Sequence, residues 1–135
     1  MSLDFTQLHV HTQFSLLDGL CKDEDLATAA KAYGMDALAI TDHGAMYGTI
    51  HFYNTIRNAG IKPIIGMEAY YTAGNRADKS REFKTNHLLL LAKNLEGYKN
   101  LIQLSSIAHL EGFYYKPRID WETLVAHHDG LIATS

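Results

Sequence analysis

A chain of 135 residues, 47% hydrophobic and 20% charged, suits one compact domain or part of a larger one and excludes wholesale disorder and fibrous architectures. With 12 Lys and Arg against 15 Asp and Glu, the formal charge of -3 provides no chain-wide basic field, so any nucleic acid must be held locally. The longest apolar run, at 88–92, is about five residues against the roughly 18 that span a bilayer, and no apolar signal-peptide core opens the sequence. A soluble cytoplasmic protein with no membrane partner is therefore expected. The single cysteine, Cys21, cannot form an internal disulfide, which agrees with a reducing compartment. Histidine, at 8 residues, is the outlier for a side chain chiefly useful as proton carrier or metal ligand.

In chain order, residues 5–10 alternate as a strand would, and 12–19 read as a loop. A helix follows, with acids at Asp23, Glu24 and Asp25 in its first turn, apolar spacing at Leu26, Ala29, Ala30 and Tyr33, and a terminating Gly34. Residues 37–41 form a short apolar strand ending in Asp42-His43-Gly44. A second helix over 47–59 stops at Gly60, and 62–71 is a third strand. The charged stretch 73–86, with Phe83 its one large apolar residue, reads as a loop. Then come a strand over 87–92, a helix over 95–109, an irregular segment 113–119 containing Lys116-Pro117-Arg118, a short helix capped by Asp120, and a strand beginning at Leu131. Strand and helix alternate through short connections, which predicts βα units around a parallel sheet, doubly wound or barrel-like. There is no GxGxxG and no Walker A loop, so dinucleotide and P-loop readings lose support.

The chemistry concentrates at strand ends. His9 and His11 are two apart in an extended segment, so both imidazoles point to one face; alone, such a pair also fits two partly exposed polar residues. Asp42 and His43 end the next strand, where an Asp helix cap beside an incidental His is the alternative. Glu68 sits among apolar residues on the third strand and needs a cation, because an unpaired buried carboxylate is costly; no Lys or Arg lies nearby in sequence. Asp18 could add an oxygen ligand or simply make an Asp-Gly turn. Imidazoles with carboxylates suit zinc, and manganese or iron where several oxygens take part; carboxylates can bridge, so more than one ion is plausible. His87 begins its strand instead of ending it, so in a parallel strand it faces the wrong edge. His51, His109, His127 and His128 read as bland surface or helix-end residues, and Cys21 as a packed thiol.

The segments Phe5-Thr6-Gln7-Leu8-His9-Val10-His11-Thr12 with Ser15-Leu16-Leu17-Asp18-Gly19, Ala37-Leu38-Ala39-Ile40-Thr41-Asp42-His43-Gly44 and Gly60-Ile61-Lys62-Pro63-Ile64-Ile65-Gly66-Met67-Glu68 resemble the PHP (polymerase and histidinol phosphatase) domain. More narrowly, they resemble its version at the N-terminus of the bacterial DNA polymerase III alpha subunits. Glu111-Gly112-Phe113-Tyr114-Tyr115-Lys116-Pro117-Arg118 fits that subfamily too, and the match runs over about 5–135. The resemblance implies a distorted (β/α)7 TIM-like barrel, of which this α/β chain would carry the first half as a single partial domain. It implies up to three divalent metal ions at the carboxyl edge, held here by His9, His11, Asp18, His43, Glu68 and His87, and so promotes His87 over the topological objection. The implied activity is metal-dependent phosphodiester hydrolysis, a 3′ to 5′ exonuclease. The implied parent is a nucleotidyl-transferring polymerase that acts with DNA and other replisome subunits. Asp42 is the candidate for orienting a ligand imidazole.

The alternatives are a non-catalytic scaffold of the polymerase and a histidinol-phosphatase-like monoesterase. The family continues into a Gly-Cys and a later Asp-x-His that this sequence does not contain. The chain by itself is therefore expected to be inactive, and a half barrel with open sheet edges is expected to form a homodimer. Met1, Ser2 and Leu3 read as a cloning remnant.

Overall fold

The computed structural model describes residues 5–16, 18–80 and 84–134. Met1, Ser2, Leu3, Leu17 and Phe83, which figure in the sequence reading, lie outside the described residues. The elements are α1 (Asp23–Ala32), β1 (Ala37–Ile40), α2 (Thr49–Asn58), β2 (Lys62–Thr72), β3 (Thr85–Ala92), α3 (Leu95–Leu110), β4 (Phe113–Tyr114), β5 (Lys116–Ile119), α4 (Trp121–Ala126) and β6 (Leu131–Thr134). Among the described residues, no helix is long and apolar enough to cross a membrane.

β2 is the spine, and its length lets it serve two neighbourhoods. Its first half pairs in parallel with β1, from Ala37↔Lys62 to Ile40↔Ile65. Its second half pairs antiparallel with β3, from Gly66↔Leu91 to Thr72↔Thr85. β5 joins β2 in parallel through Tyr70↔Arg118 and Tyr71↔Ile119, and β3 carries β6 antiparallel, giving the order β4-β5-β2-β3-β6. The sheet is thus mixed, and the expectation of a parallel sheet is corrected at β3. Connection length does not fix strand direction, since a long loop allows either sense.

Two cores follow from this division. Ala27, Ala30, Leu38, Ile40, Phe52, Ile56 and Ile61 pack α1 and α2 onto β1. Met67, Ala69, Leu90, Leu101, Leu104 and Ile119 are among those that pack α3 onto β2, β3 and β5. Because strand side chains alternate, burying Met67 and Ala69 against α3 turns Glu68 and Tyr70 to the opposite face.

Two further expectations change. Residues 5–10 do not form a strand: the segment runs beside β1, with Ala39 N–H donating to the Gln7 carbonyl and Thr41 N–H to that of Val10. The Val10 amide goes to the Thr41 hydroxyl at 2.8 Å instead of to a backbone carbonyl, which interrupts the ladder. Conversely, 113–119 is not irregular but supplies β4 and β5, a pairing imposed by distant β2 that local turn signals could not reveal. The helix stops at Gly34 and Gly60 hold, with positive φ at both, and Asp120 caps α4 as read, accepting from Thr123 N–H at 3.0 Å.

Candidate metal centre

Every side chain of the expected ligand set reaches one place. Glu68 is the hub, 4% exposed on the β2 face turned away from α3. His9 Nε2 and His11 Nε2 lie 2.7 and 2.6 Å from its Oε2, and His87 Nδ1 lies 3.2 Å from Oε1. Asp18 forms a second hub, its Oδ2 2.8 Å from His11 Nδ1 and 2.9 Å from His43 Nε2. Three triplets result, each with ligand atoms within 4.8 Å of one another: His9, His11 and Glu68; His11, Asp18 and His43; His43, Glu68 and His87.

The local sequence explains each placement. His9 and His11 ride the extended segment beside β1, and His43 follows the end of β1, where a parallel bridge pairs it with Glu68. Asp18 hangs in the loop after that segment, where Ser15, fully buried, also accepts the His43 amide at 3.1 Å. His87 is adjacent to Tyr70 across the β2–β3 ladder. The strand-edge objection to His87 therefore fails for a definite reason. β3 is antiparallel, so its first residues lie beside the carboxyl end of β2.

Asp42 reaches no ligand imidazole directly. Its carboxylate takes the Thr12 amide at 2.7 Å on one oxygen and the Thr12 hydroxyl at 2.9 Å on the other. It therefore fixes the backbone next to His11. Burial pushes the Asp42 carboxyl up, with the Thr12 bonds opposing. At Glu68 and Asp18 burial also raises the carboxyl, but the imidazoles around Glu68, and Ser15 with His11 and His43 around Asp18, outweigh it and leave both lowered. His43 is lowered, by burial first, against the pull of Glu68.

The donor set fits a cation. His11 faces a carboxylate oxygen at each ring nitrogen, 2.8 Å from Asp18 and 2.6 Å from Glu68, so one side chain serves two neighbouring triplets. His43 Nδ1 is buried without a hydrogen-bond partner, 3.7 Å from Glu68 Oε2. A bound ion would satisfy that nitrogen. A cleft of about 430 Å³, lined in part by Phe5, Gln7, His9, Glu68 and His87, opens beside the cluster, within the size range of small-molecule sites.

The sequence reading missed one neighbour of the cluster and one paired histidine. Tyr70 stacks on His43 with ring centroids 5.3 Å apart and planes 7° apart; its position two residues after Glu68 is the period-two signal that would have found it. His51, read as bland, sits with Nδ1 2.7 Å from Oδ2 of the fully buried Asp23 and ties α2 to α1. His109 Nε2 meets the Tyr47 hydroxyl at 3.1 Å, and Cys21, expected to be packed, is exposed.

Known proteins resemble this chain along most of its length. The PHP domain family matches residues 7–135. The DNA polymerase III subunit alpha of Aquifex aeolicus is 50% identical over 98% of this chain and 12% of its own length. Those of Helicobacter pylori strain 26695 and Deinococcus radiodurans are 51% and 52% identical over 97% of the chain and 11% of theirs. The chain thus spans about one-eighth of the length of these relatives. Among solved structures, a Chromobacterium violaceum amidohydrolase superposes with TM-score 0.56 at 21% identity, over 76% of this chain and 32% of its own. A Bifidobacterium adolescentis protein named as a metal-dependent phosphoesterase gives TM-score 0.55 at 20% identity, over 80% of this chain and 34% of its own. The family match over nearly all the chain, and the homology to polymerase III alpha subunits at about half identity, establish that this chain belongs to the PHP domain family.

Proposed function

We propose that this chain is the PHP portion of a replicative DNA polymerase III alpha subunit, part of a distorted (β/α)7 barrel, and that its cluster serves metal-dependent phosphodiester hydrolysis at a primer 3′ end. The observation that carries the reading is the sharing of ligands: His11, His43 and Glu68 each belong to two of the three triplets, which suits adjacent ions better than one. His9, His11, Asp18, His43, Glu68 and His87 would hold up to three divalent ions, zinc foremost, with manganese or iron as alternatives for an oxygen-containing set. When bound, such ions lower the pKa of water and neutralise charge on the transferring phosphoryl group. The chain's own residues do the rest. Asp42 acts as a positioning residue by fixing Thr12, and with it the His11 backbone. Ser15 holds the His43 amide. The partners in this reading are DNA and other replisome subunits, in the cytoplasm.

The test uses the full-length protein that carries this chain. Elemental analysis should find bound divalent metal that Glu68→Gln and His11→Ala lose, and a 3′-labelled primer with added Mn²⁺ or Zn²⁺ should be shortened by the wild type only. Metal uptake without any shortening would favour the scaffold role, and shortening that survives both substitutions would place the chemistry elsewhere.

A further inference from the structure

We propose that Tyr70 and Lys116 form a phosphate-binding wall of this metal centre, the phenol and the ammonium each donating to a non-bridging oxygen of a phosphate ester. The inference rests on the reading of the cluster as a phosphoesterase centre and adds the groups that would hold its substrate.

Tyr70 is locked in place by its neighbours. Its ring stacks on His43 and meets His87 edge-on, with centroids 5.3 Å away in each case, so it borders two of the ligands. Lys116 reaches the same ring from the adjoining strand, Nζ lying 4.7 Å from the Tyr70 centroid. Strand pairing sets that approach, because Tyr70 is the register partner of Arg118, two residues along β5 from Lys116. A cation over an aromatic ring is held by the ring's quadrupole without consuming its N–H donors.

Both groups are left with free donors. Among the described residues, no carboxylate lies within ion-pair distance of Lys116, and the Tyr70 hydroxyl makes no hydrogen bond. Tyr70 is half-buried and Lys116 exposed, so both are open to an incoming molecule. The charge arrangement says which kind. With divalent ions in the cluster outweighing the carboxylates of Asp18 and Glu68, the centre draws anions, and a phosphate ester leaves non-bridging oxygens facing the protein beside the ions. Lys116 offers those oxygens a compact charge with three rotatable donors that can follow them as a phosphoryl group changes geometry.

The test uses the full-length protein with Lys116→Ala, Lys116→Arg, Tyr70→Phe and a control, Lys31→Ala on the last turn of α1. Inorganic phosphate is titrated calorimetrically, KM and kcat are measured with bis(p-nitrophenyl) phosphate, and metal content is measured for each variant. Loss of a charge-assisted hydrogen bond should weaken phosphate binding and raise KM about tenfold or more in Lys116→Ala, with kcat changed less than KM. Metal content should stay at the wild-type level, Lys116→Arg should recover most of the loss, Tyr70→Phe should lose a smaller factor, and the control should match wild type. Unchanged phosphate binding in Lys116→Ala overturns the proposal, as does loss of metal in that variant, which would make its role structural. If the wild type takes up no metal, the phosphoesterase reading fails on its own. Phosphate titration into that metal-free protein then still decides the inference: binding that Lys116→Ala removes supports the wall, and absence of binding overturns it.

Discussion

Asp120 shows how much one side chain holds together. It is 5% exposed and receives the Thr123 amide at 3.0 Å, the Thr123 hydroxyl at 2.6 Å, the Arg76 amide at 3.0 Å and the Arg76 guanidinium at 3.2 Å. Burial alone raises its carboxyl, but the bonds from Thr123 and Arg76 outweigh it and bring the pKa down from 3.8 to about 2. A folded-state pKa below the unfolded value means the contribution is complete above about pH 4 and is lost as pH falls through 4 towards 2. The gap corresponds to roughly 2 kcal/mol. Asp120→Asn should therefore lower stability at pH 7 by about 1–2 kcal/mol and flatten the acid limb of stability against pH; urea melts at pH 7 and between pH 2 and 4 check both. An acid limb as steep as wild type would mean other carboxylates dominate. The cap was legible in the sequence, since Asp before a short apolar helix has a local signature. The Arg76 partnership was not, because the two residues meet only through the fold. The histidine and carboxylate cluster divides in the same way. His9, His11, His43 and Glu68 were legible because the alternation of an extended segment and the end of β1 are local facts, even though 5–10 is no strand, whereas His87 needed the direction of β3.

At the scale of elements, the first turn of α3 closes on the turn before β6. A Cβ at Gly97 would sit 1.9 Å from the Gly130 carbonyl oxygen, which itself accepts the Lys93 amide at 2.8 Å. The Gly97 amide donates to the capping Asn94 side chain at 3.0 Å, so helix start, turn and β6 share one small space. Gly97→Ala offers two opposed effects. Helix propensity favours Ala by about 1 kcal/mol in a helix interior, and less near the cap. The clash is with backbone, which cannot rotate away, and overpacking of this kind costs about 1–3 kcal/mol before the loss of the cap and of the Lys93 bond, each about 1 kcal/mol. The clash should win. A net loss of at least 1 kcal/mol, read as a fall of about 3 °C or more in melting temperature, is the expected result; a rise would show that the turn yields freely. The sequence revealed α3 by its apolar spacing, but this glycine carried no signal, because close approach to residue 130 is set by how β6 returns to β3. For the same reason β4 and β5 read as irregular from within, and only β2 beside them makes them strands.

For the whole molecule, the clustered side chains matter most for where they come from. His9, His11 and His43 are carried on or beside the part of the chain whose apolar residues pack α1 and α2 onto β1, whereas Glu68 and His87 sit on the strands that α3 covers. Ions held by the triplets would thus join the two cores at a second place besides β2, and bring together residues 9 to 87, which the unfolded chain keeps apart. Binding free energy then becomes folding free energy. At a free-metal concentration a hundredfold above Kd the stabilisation is about 2.7 kcal/mol, which for a chain of this length is a rise in melting temperature on the order of 10 °C. A chelator should reverse it. Glu68→Gln belongs to two of the triplets and should abolish most of the shift, while Lys31→Ala should leave it intact, because Lys31 lies at the far end of α1 from the acidic turn. Scanning calorimetry with and without Zn²⁺ or Mn²⁺, repeated for both variants, separates the possibilities. A wild-type melt indifferent to metal would mean that the cluster does not couple the two cores, and an equal shift in Glu68→Gln would place the stabilising ion somewhere other than at Glu68.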